Sequence, residues 1–162
     1  MMRKLIFSLA LLIALFAGCS KSDDKCNYPD SAITAPANEV QALKNYLGAD
    51  SLVTLQHPSG FFYKIISPGS GQGIVNLCSN VTIKYTGKLT NGTVFDKTEP
   101  GATATFLLGD LIIGWQKGLP LISKGGTITL YIPPTLGYGS SANGNIPGNS
   151  ILIFDVELVD IT

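Results

Sequence analysis

The feature that most constrains the fold is the regular alternation of side chains at residues 81–89. Apolar residues and a glycine occupy every second position, and threonines and lysines occupy the positions between them. Side chains of a β-strand point alternately to opposite faces, so this pattern is typical of a strand with one buried face. The Asn91-Gly92 pair that follows favours a tight hairpin, and residues 94–96 begin the return strand. The region therefore predicts antiparallel pairing.

Further strands are predicted wherever β-branched and aromatic residues cluster between turn residues, at 61–66, 104–108, 127–132 and 151–159. Residues 114–119 have room for only one or two helical turns before a proline. The 18 glycines and nine prolines agree with a chain of many turns. The predicted fold class is α+β, with an antiparallel sheet of five or six strands around one short helix.

A helix is predicted at residues 36–47, before the first strand. Val40, Leu43 and Leu47 form one apolar stripe, Pro36 suits the first turn, and Gly48 suits the C-terminal stop. A single short amphipathic helix is marginal alone, so we expect this one to pack on the sheet domain. Residues 36–59 are therefore predicted to be an N-terminal helical extension.

The beginning of the chain predicts export. Arg3 and Lys4 precede the apolar residues 5–17, a stretch shorter than the ~20 residues that span a bilayer. Residues 1–18 are therefore interpreted as a signal peptide rather than a transmembrane or buried core helix. The ending FAGC at 16–19 resembles a bacterial lipobox, which predicts lipidation of Cys19. A plain cleaved secretory protein remains the alternative.

Residues 19–35 are predicted to form a lipid-anchored tether to the outer membrane of the bacterial cell envelope, on its periplasmic or surface face. The segment SKSDDK at 20–25 resembles the acidic tag of surface-exposed lipoproteins, and a solvated linker is the equal alternative. The exported compartment is oxidising, so a disulfide between Cys26 and Cys78 is favoured over two free thiols.

Charge composition excludes several kinds of partner and cofactor. Lysine plus arginine equals aspartate plus glutamate, at 11 each, which does not indicate binding to nucleic acid. The single histidine, His57, precedes the strand-rich region, and no metal-ligand spacing occurs. No cofactor or metal is therefore expected.

A set of short aromatic and glycine motifs occurs in a fixed order over the second half of the chain. The motifs are VTIKYTG at 81–87, GTVFD at 92–96, LG at 108–109, GW at 114–115, GYG at 137–139 and IFDVEL at 153–158. Together they resemble the FKBP-type peptidyl-prolyl cis-trans isomerases, and we assign residues 60–162 to such a domain. The resemblance implies a half-barrel sheet, a pocket between sheet and helix, and isomerisation of X–Pro bonds in proline-containing polypeptides of the envelope.

The resemblance also implies which residues form the pocket. The aromatic surfaces are Trp115 as the floor and Tyr85, Phe95 and Phe154 as the walls. The other implied residues form the rim, the hydrogen bonds and the covering loop. They are Leu111 and Ile112 at the rim, the Ile112 N–H and Tyr138 hydroxyl as donors, Asp96 beside Tyr85, and Ile146 in the loop.

The chain departs from the family pattern at two places. Ala104 stands where a wall aromatic is common, which is expected to weaken binding of macrolide ligands of the FK506 type. The loop at 139–149 is rich in glycine, asparagine and serine, which leaves substrate choice open. The helical extension is shorter than the dimerisation regions of longer members, so a monomer is predicted.

Two other classes of function fit the same motifs. A holdase chaperone would use the pocket to bind proline-containing segments without accelerating isomerisation. A structural surface lipoprotein would use the fold only as a scaffold, and its pocket aromatics would be expected to erode. A peptide isomerisation assay separates these classes.

Overall fold

The computed structural model describes residues 26–162, so the predicted signal peptide and Cys19 lie outside the described residues. The described chain folds into one sheet and two α-helices, and all strand pairs are antiparallel. In chain order the elements are α1 (Ala37–Leu47), β1 (Leu55–Gln56), β2 (Phe62–Ser67), β3 (Asn80–Leu89), β4 (Val94–Lys97), β5 (Ala104–Leu107), α2 (Ile113–Gly118), β6 (Thr127–Ile132) and β7 (Leu152–Ile161). The predicted α+β class is confirmed.

The sheet runs in the order β1-β2-β6-β7-β3-β4, and β5 pairs with β3 as well. The long strand β3 is paired with β7 along its length on one side. On its other side, β4 pairs near the end of β3 and β5 pairs near its beginning. Between them, at Tyr85, the Thr98 N–H donates to the Tyr85 carbonyl at 3.0 Å. The strand that carries Tyr85 is therefore held from both sides.

The structure has seven strands where five or six were predicted. The additional strand is β1, which pairs only with Tyr63 and Phe62 of β2 and whose two residues are both exposed. A two-residue strand without a buried face leaves no alternation in the sequence, which explains why it was missed. It also interrupts the extension that was predicted to be helical.

The short helix α2 lies against the sheet because glycines allow close approach. A Cβ on Gly114 would lie 2.6 Å from Ile132 Cδ1, and one on Gly118 would lie 2.7 Å from Leu130 Cδ2. Both contacts are closer than carbon atoms tolerate. Trp115, which lies between these glycines in the chain, is buried in the same core. The pair of glycines thus fixes where the indole sits.

Helix α1 packs on the opposite face of the sheet. Leu43 and Leu47 are buried together with Phe62 of β2, as the predicted stripe requires. The helix begins one residue later than predicted, since Pro36 is its N-cap rather than part of its first turn. The Pro36 carbonyl accepts hydrogen bonds from the N–H groups of Glu39 and Val40 at 3.0 and 3.1 Å.

The segment before α1 is tied to the rest of the fold by a disulfide and by hydrogen bonds, one of them from the Tyr28 hydroxyl to Asp110 Oδ1 at 2.5 Å. The sulfur atoms of Cys26 and Cys78 are bonded, with their Cα atoms 5.6 Å apart. The Ala35 N–H donates to the Ser59 carbonyl at 2.8 Å. No helix within residues 26–162 combines the length and the apolar character that crossing a bilayer requires.

Candidate active site

Three aromatic rings from three different elements meet between the sheet and α2. The Trp115 ring from α2 lies 5.4 Å from the Tyr85 ring of β3 and 4.9 Å from the Phe154 ring of β7, measured between centroids. Both pairs are edge-to-face, with interplanar angles of 84° and 85°. Aromatic quadrupoles favour this arrangement, so the three rings stabilise one another's orientation.

These rings enclose a cavity of about 140 Å³. Its lining is aromatic and aliphatic except for one carboxylate and two phenol hydroxyls. The lining residues are Tyr85, Asp96, Phe106, Leu111, Ile112, Trp115, Tyr138 and Phe154. The structure therefore brings together seven of the nine residues that the resemblance implied for the pocket.

The other two implied residues lie beside the cavity rather than in its lining. Phe95 packs edge-to-face on Phe154, with the ring centroids 5.5 Å apart, so it supports the wall from behind. Ile146 is only 7% exposed and belongs to the main hydrophobic core. Its backbone exchanges two hydrogen bonds with Asn143, which form a tight turn.

Phe106 lines the cavity but was not among the predicted site residues. Its ring centroid lies 6.3 Å from that of Tyr85. Side chains two apart in a strand share a face, so Phe106 lies on the same side of β5 as Ala104. The alternation of β5 was the signal that could have found it. Ala104 is not part of the lining.

Asp96 organises the polar side of the cavity. The Tyr85 hydroxyl donates to Asp96 Oδ2 at 2.6 Å, and the Lys97 N–H donates to Asp96 Oδ1 at 2.9 Å. Burial, and then the hydrogen bond to Asp96, raise the pKa of Tyr85 far above its usual value. Burial, and the nearby charge of Asp96, also raise the pKa of Tyr138. Both hydroxyls are therefore protonated, and able to donate, throughout the neutral range.

The rim is a loop that follows β5 and carries Leu111 and Ile112 into the cavity lining. The Gln116 side chain holds this loop, because its Nε2 donates to the carbonyls of Gly109 at 3.0 Å and Leu111 at 2.7 Å. Among the hydrogen bonds formed within residues 26–162, none is donated by the backbone N–H of Ile112. A ligand carbonyl could therefore accept a hydrogen bond from the Ile112 N–H.

Within the described residues, the cavity lacks the groups that metal-assisted catalysis, or attack by serine, cysteine or lysine, would need. His57 stacks on Phe61, with ring centroids 4.4 Å apart, and is absent from the cavity lining. Across the described ranges, no three metal-ligating side chains come together in a way that could hold an ion. The lining contains no serine, cysteine or lysine that could attack a substrate.

A larger groove, of about 590 Å³, lies elsewhere on the sheet. Hydroxyl and charged side chains line much of it, among them the ion pair of Lys84 with Glu157 at 3.2 Å. It shares Tyr85 with the aromatic cavity, but Trp115 and Phe154 are absent from its lining. We therefore take the smaller aromatic cavity as the site.

An antiparallel sheet folded over a short helix, with an aromatic cavity that offers hydroxyl donors, defines a class of protein. The shape and polarity of such a cavity suit a compact apolar ring flanked by carbonyl groups. The chain belongs to the family of FKBP-type peptidyl-prolyl cis-trans isomerases, whose family model matches residues 72–159.

Individual relatives agree with this assignment. The FKBP-type peptidyl-prolyl cis-trans isomerase FkpA of Buchnera aphidicola is 51% identical over 104 residues, which are 64% of this chain and 41% of that protein. The outer membrane protein MIP of Legionella longbeachae is 42% identical over 106 residues, 64% of this chain and 45% of that protein. The chain therefore spans less than half the length of these curated relatives.

A solved structure agrees as well. The crystal structure of FkpA from Escherichia coli has a TM-score of 0.69 and 34% identity to this chain. The alignment covers 78% of this chain and 58% of that one. Similarity of fold and sequence thus extends beyond the residues that the family model matches.

Proposed function

We propose that this protein is a peptidyl-prolyl cis-trans isomerase that acts on X–Pro bonds of exported or cell-envelope proteins. The observation that carries the proposal is the aromatic cavity over Trp115, which combines ring-sized apolar surfaces with the Tyr138 hydroxyl and the Ile112 N–H. Family membership supports it. The lining holds no serine, cysteine or lysine nucleophile, and prolyl isomerisation needs none.

The proposed mechanism rests on the polarity of the amide. Rotation about an X–Pro bond has a barrier of roughly 18–20 kcal/mol because resonance favours the planar form. The planar amide separates more charge than the twisted one, so a dry aromatic cavity disfavours the planar form relative to the twisted transition state. In this proposal, Trp115 supports the proline ring while Tyr85, Phe154 and Phe106 exclude water.

Two donors would hold the substrate backbone while the bond rotates. The Ile112 N–H, which lies at the rim, is proposed to donate to one substrate carbonyl. The Tyr138 hydroxyl, kept protonated by its raised pKa, is proposed to donate to a second. Asp96 would fix the Tyr85 hydroxyl and place negative charge beside the twisting amide. Phe95 would act through Phe154, and Ile146 through the turn that it forms with Asn143.

Residues 20–162 are expected to accelerate cis-to-trans conversion of peptides with an apolar residue before proline. The reason for this preference is the apolar rim, where Phe106, Leu111 and Ile112 can contact that residue. The measurement is a protease-coupled assay with Leu-Pro and Phe-Pro peptides, and the buffer rate is the control. A rate no faster than buffer would contradict the proposal. Binding of the same peptides without acceleration would establish the holdase function instead.

Macrolides of the FK506 type are a second proposed ligand of this cavity. Ala104 has a side chain too short to reach the lining, so one apolar wall is reduced relative to members with an aromatic residue there. Weak binding of a large macrolide is the corresponding proposal.

The proposed location is the cell envelope, with the protein anchored through a lipidated Cys19. The Cys26–Cys78 disulfide supports an oxidising compartment. A relative carries the name outer membrane protein, which supports the same location. Two or three acyl chains hold a protein on a membrane stably, at about 0.8 kcal/mol per buried methylene.

Replacement of Cys19 by serine is expected to release the protein from the membrane fraction, because the substitution removes the site of acylation. The measurement is immunoblotting of membrane and soluble fractions from cells that express either form. Ser20→Ala, one residue along, is the matched control and should remain with the membrane. Membrane retention of the Cys19→Ser protein after removal of its signal peptide would disprove lipid anchoring at this residue.

A further inference from the structure

Helix α1 makes one polar contact with the loop region that presents Tyr138. The Glu39 carboxylate accepts two hydrogen bonds from Thr135. Its Oε2 atom accepts one from the backbone N–H at 2.9 Å, and its Oε1 atom accepts one from the hydroxyl at 2.7 Å. Both bonds are partly buried and join residues 96 positions apart in the chain. Hydrogen bonds to a carboxylate are stronger than those between neutral groups, so this contact restrains the Thr135 backbone.

Thr135 belongs to a short 3-10 turn, Pro134–Leu136, directly before the GYG motif. The Pro134 carbonyl accepts hydrogen bonds from the N–H groups of both Gly137 and Gly139, each at 2.9 Å. These two glycines flank Tyr138, so the backbone on either side of the tyrosine is bonded to the turn that Glu39 holds. The position of the Tyr138 hydroxyl in the cavity thus depends on this turn.

Glu39 is itself held in place by the docking of α1. Leu43 is fully buried and Leu47 nearly so, and both pack against Phe62 of the sheet. The Ala35 N–H bond to Ser59 fixes the chain just before the helix. The ion pairs found within residues 26–162 do not include Glu39, so the carboxylate is directed to Thr135 alone in this region.

We propose that Glu39 is a positioning residue for the active site, which sets the Tyr138 hydroxyl through the turn at Thr135. The inference rests on the proposed isomerase function, in which Tyr138 donates to a substrate carbonyl. It assigns a role in the reaction to the extension that precedes the isomerase domain. Glu39 does not touch the cavity and acts only through Thr135.

The test is a double-mutant cycle on turnover. Glu39→Ala and Tyr138→Phe are each expected to lower kcat/KM roughly five- to tenfold, the scale of one lost hydrogen bond. The double variant should be no slower than Tyr138→Phe alone, because Glu39 acts through that hydroxyl. Gln41→Ala is the matched control, because Gln41 lies on the same helix and, within residues 26–162, its side chain bonds only to Asn45. It should keep full turnover.

Two outcomes of the cycle would overturn the proposal. One is wild-type turnover in Glu39→Ala, and the other is a double variant whose loss is the product of the two single losses. If Glu39→Ala fails to fold, Thr135→Val replaces it in the cycle. This variant deletes the hydroxyl bond and keeps the backbone N–H bond to Glu39, so its loss of turnover should be smaller, and that loss should likewise disappear when Tyr138 is already phenylalanine.

A structural readout separates this proposal from the isomerase proposal. In ¹⁵N-resolved spectra, the Gly137 and Gly139 amide signals should shift in Glu39→Ala and stay in place in Gln41→Ala. Absence of that shift would contradict the positioning role even in an active enzyme. Absence of turnover in the wild-type protein, with the shift present, would contradict the isomerase function and leave the coupling of Glu39 to the turn established.

Discussion

Replacing Phe154 by alanine is expected to lower the free energy of unfolding by roughly 3–5 kcal/mol, the usual cost of removing a buried phenylalanine ring. Phe154 is 3% exposed and contacts the rings of Phe95, Trp115 and Tyr85. Its loss opens a void in the core and removes one wall of the cavity. Turnover should fall with the folded fraction, and the melting temperature should drop by roughly 10–20 °C.

Thermal melting of purified variants checks this expectation. Phe154→Leu, which keeps part of the apolar volume, should lose less stability than Phe154→Ala because the remaining void is smaller. Val94→Ala is the control for truncation of an apolar strand residue at an exposed position, and its stability should change by no more than about 0.5 kcal/mol. A Phe154→Ala protein with the same melting temperature as the wild type would show that the aromatic cluster tolerates the loss of this ring.

Replacement of Asp96 by leucine is expected to reduce kcat/KM by about ten- to a hundredfold and to leave the domain folded. Asp96 accepts the Tyr85 hydroxyl at 2.6 Å in the cavity wall, so its removal frees that hydroxyl and deletes the charge beside the substrate amide. A lost hydrogen bond to a charged group is worth about 1.5–3 kcal/mol, which sets the range of the rate effect. Asp96 is exposed and outside the apolar core, so stability should fall by only about 1–2 kcal/mol.

The peptide assay should be read beside thermal melting of the same samples. Glu99→Leu is the matched control, because Glu99 is also exposed and its side chain forms no hydrogen bond within the described residues. It should keep full turnover. Asp96→Asn, which retains an acceptor for Tyr85, should recover part of the loss. Full turnover in Asp96→Leu would make Asp96 a scaffold residue and remove it from the proposed mechanism.

Strands β3, β6 and β7 were predictable from the sequence because alternate side chains along each of them are buried. In β3 and β6, apolar residues at every second position mark the side that faces α2. Strand β1 had no such mark, since both of its residues are exposed and only pairing with β2 orders them. Local sequence patterns reflect which side chains are buried, and neither side chain of β1 is buried.

The sequence motifs indicated which residues gather at the site, but not which of their side chains line the cavity. The resemblance implied that Trp115 and Tyr85 line one pocket, and the fold that carries those motifs brings the two rings within 5.4 Å of each other. It did not separate a ring that lines the cavity, such as Phe106, from one that supports the wall, such as Phe95. That difference depends on how far each strand extends into the half-barrel and on the angle of each ring. The contact between Glu39 and Thr135 could not be predicted from the sequence either, because the two residues lie 96 positions apart and share no local pattern.

The disulfide between Cys26 and Cys78 also determines how the molecule bears mechanical load. Tension applied to the chain before Cys26 passes through the sulfur–sulfur bond to Cys78 and enters the sheet at the start of β3. The force does not pass through the stretch between the two cysteines, so α1, β1 and β2 carry no tension. The force falls on the strand that has partners along both edges. A molecule pulled from the residues before Cys26 would therefore keep α1, and with it Glu39, docked under that load.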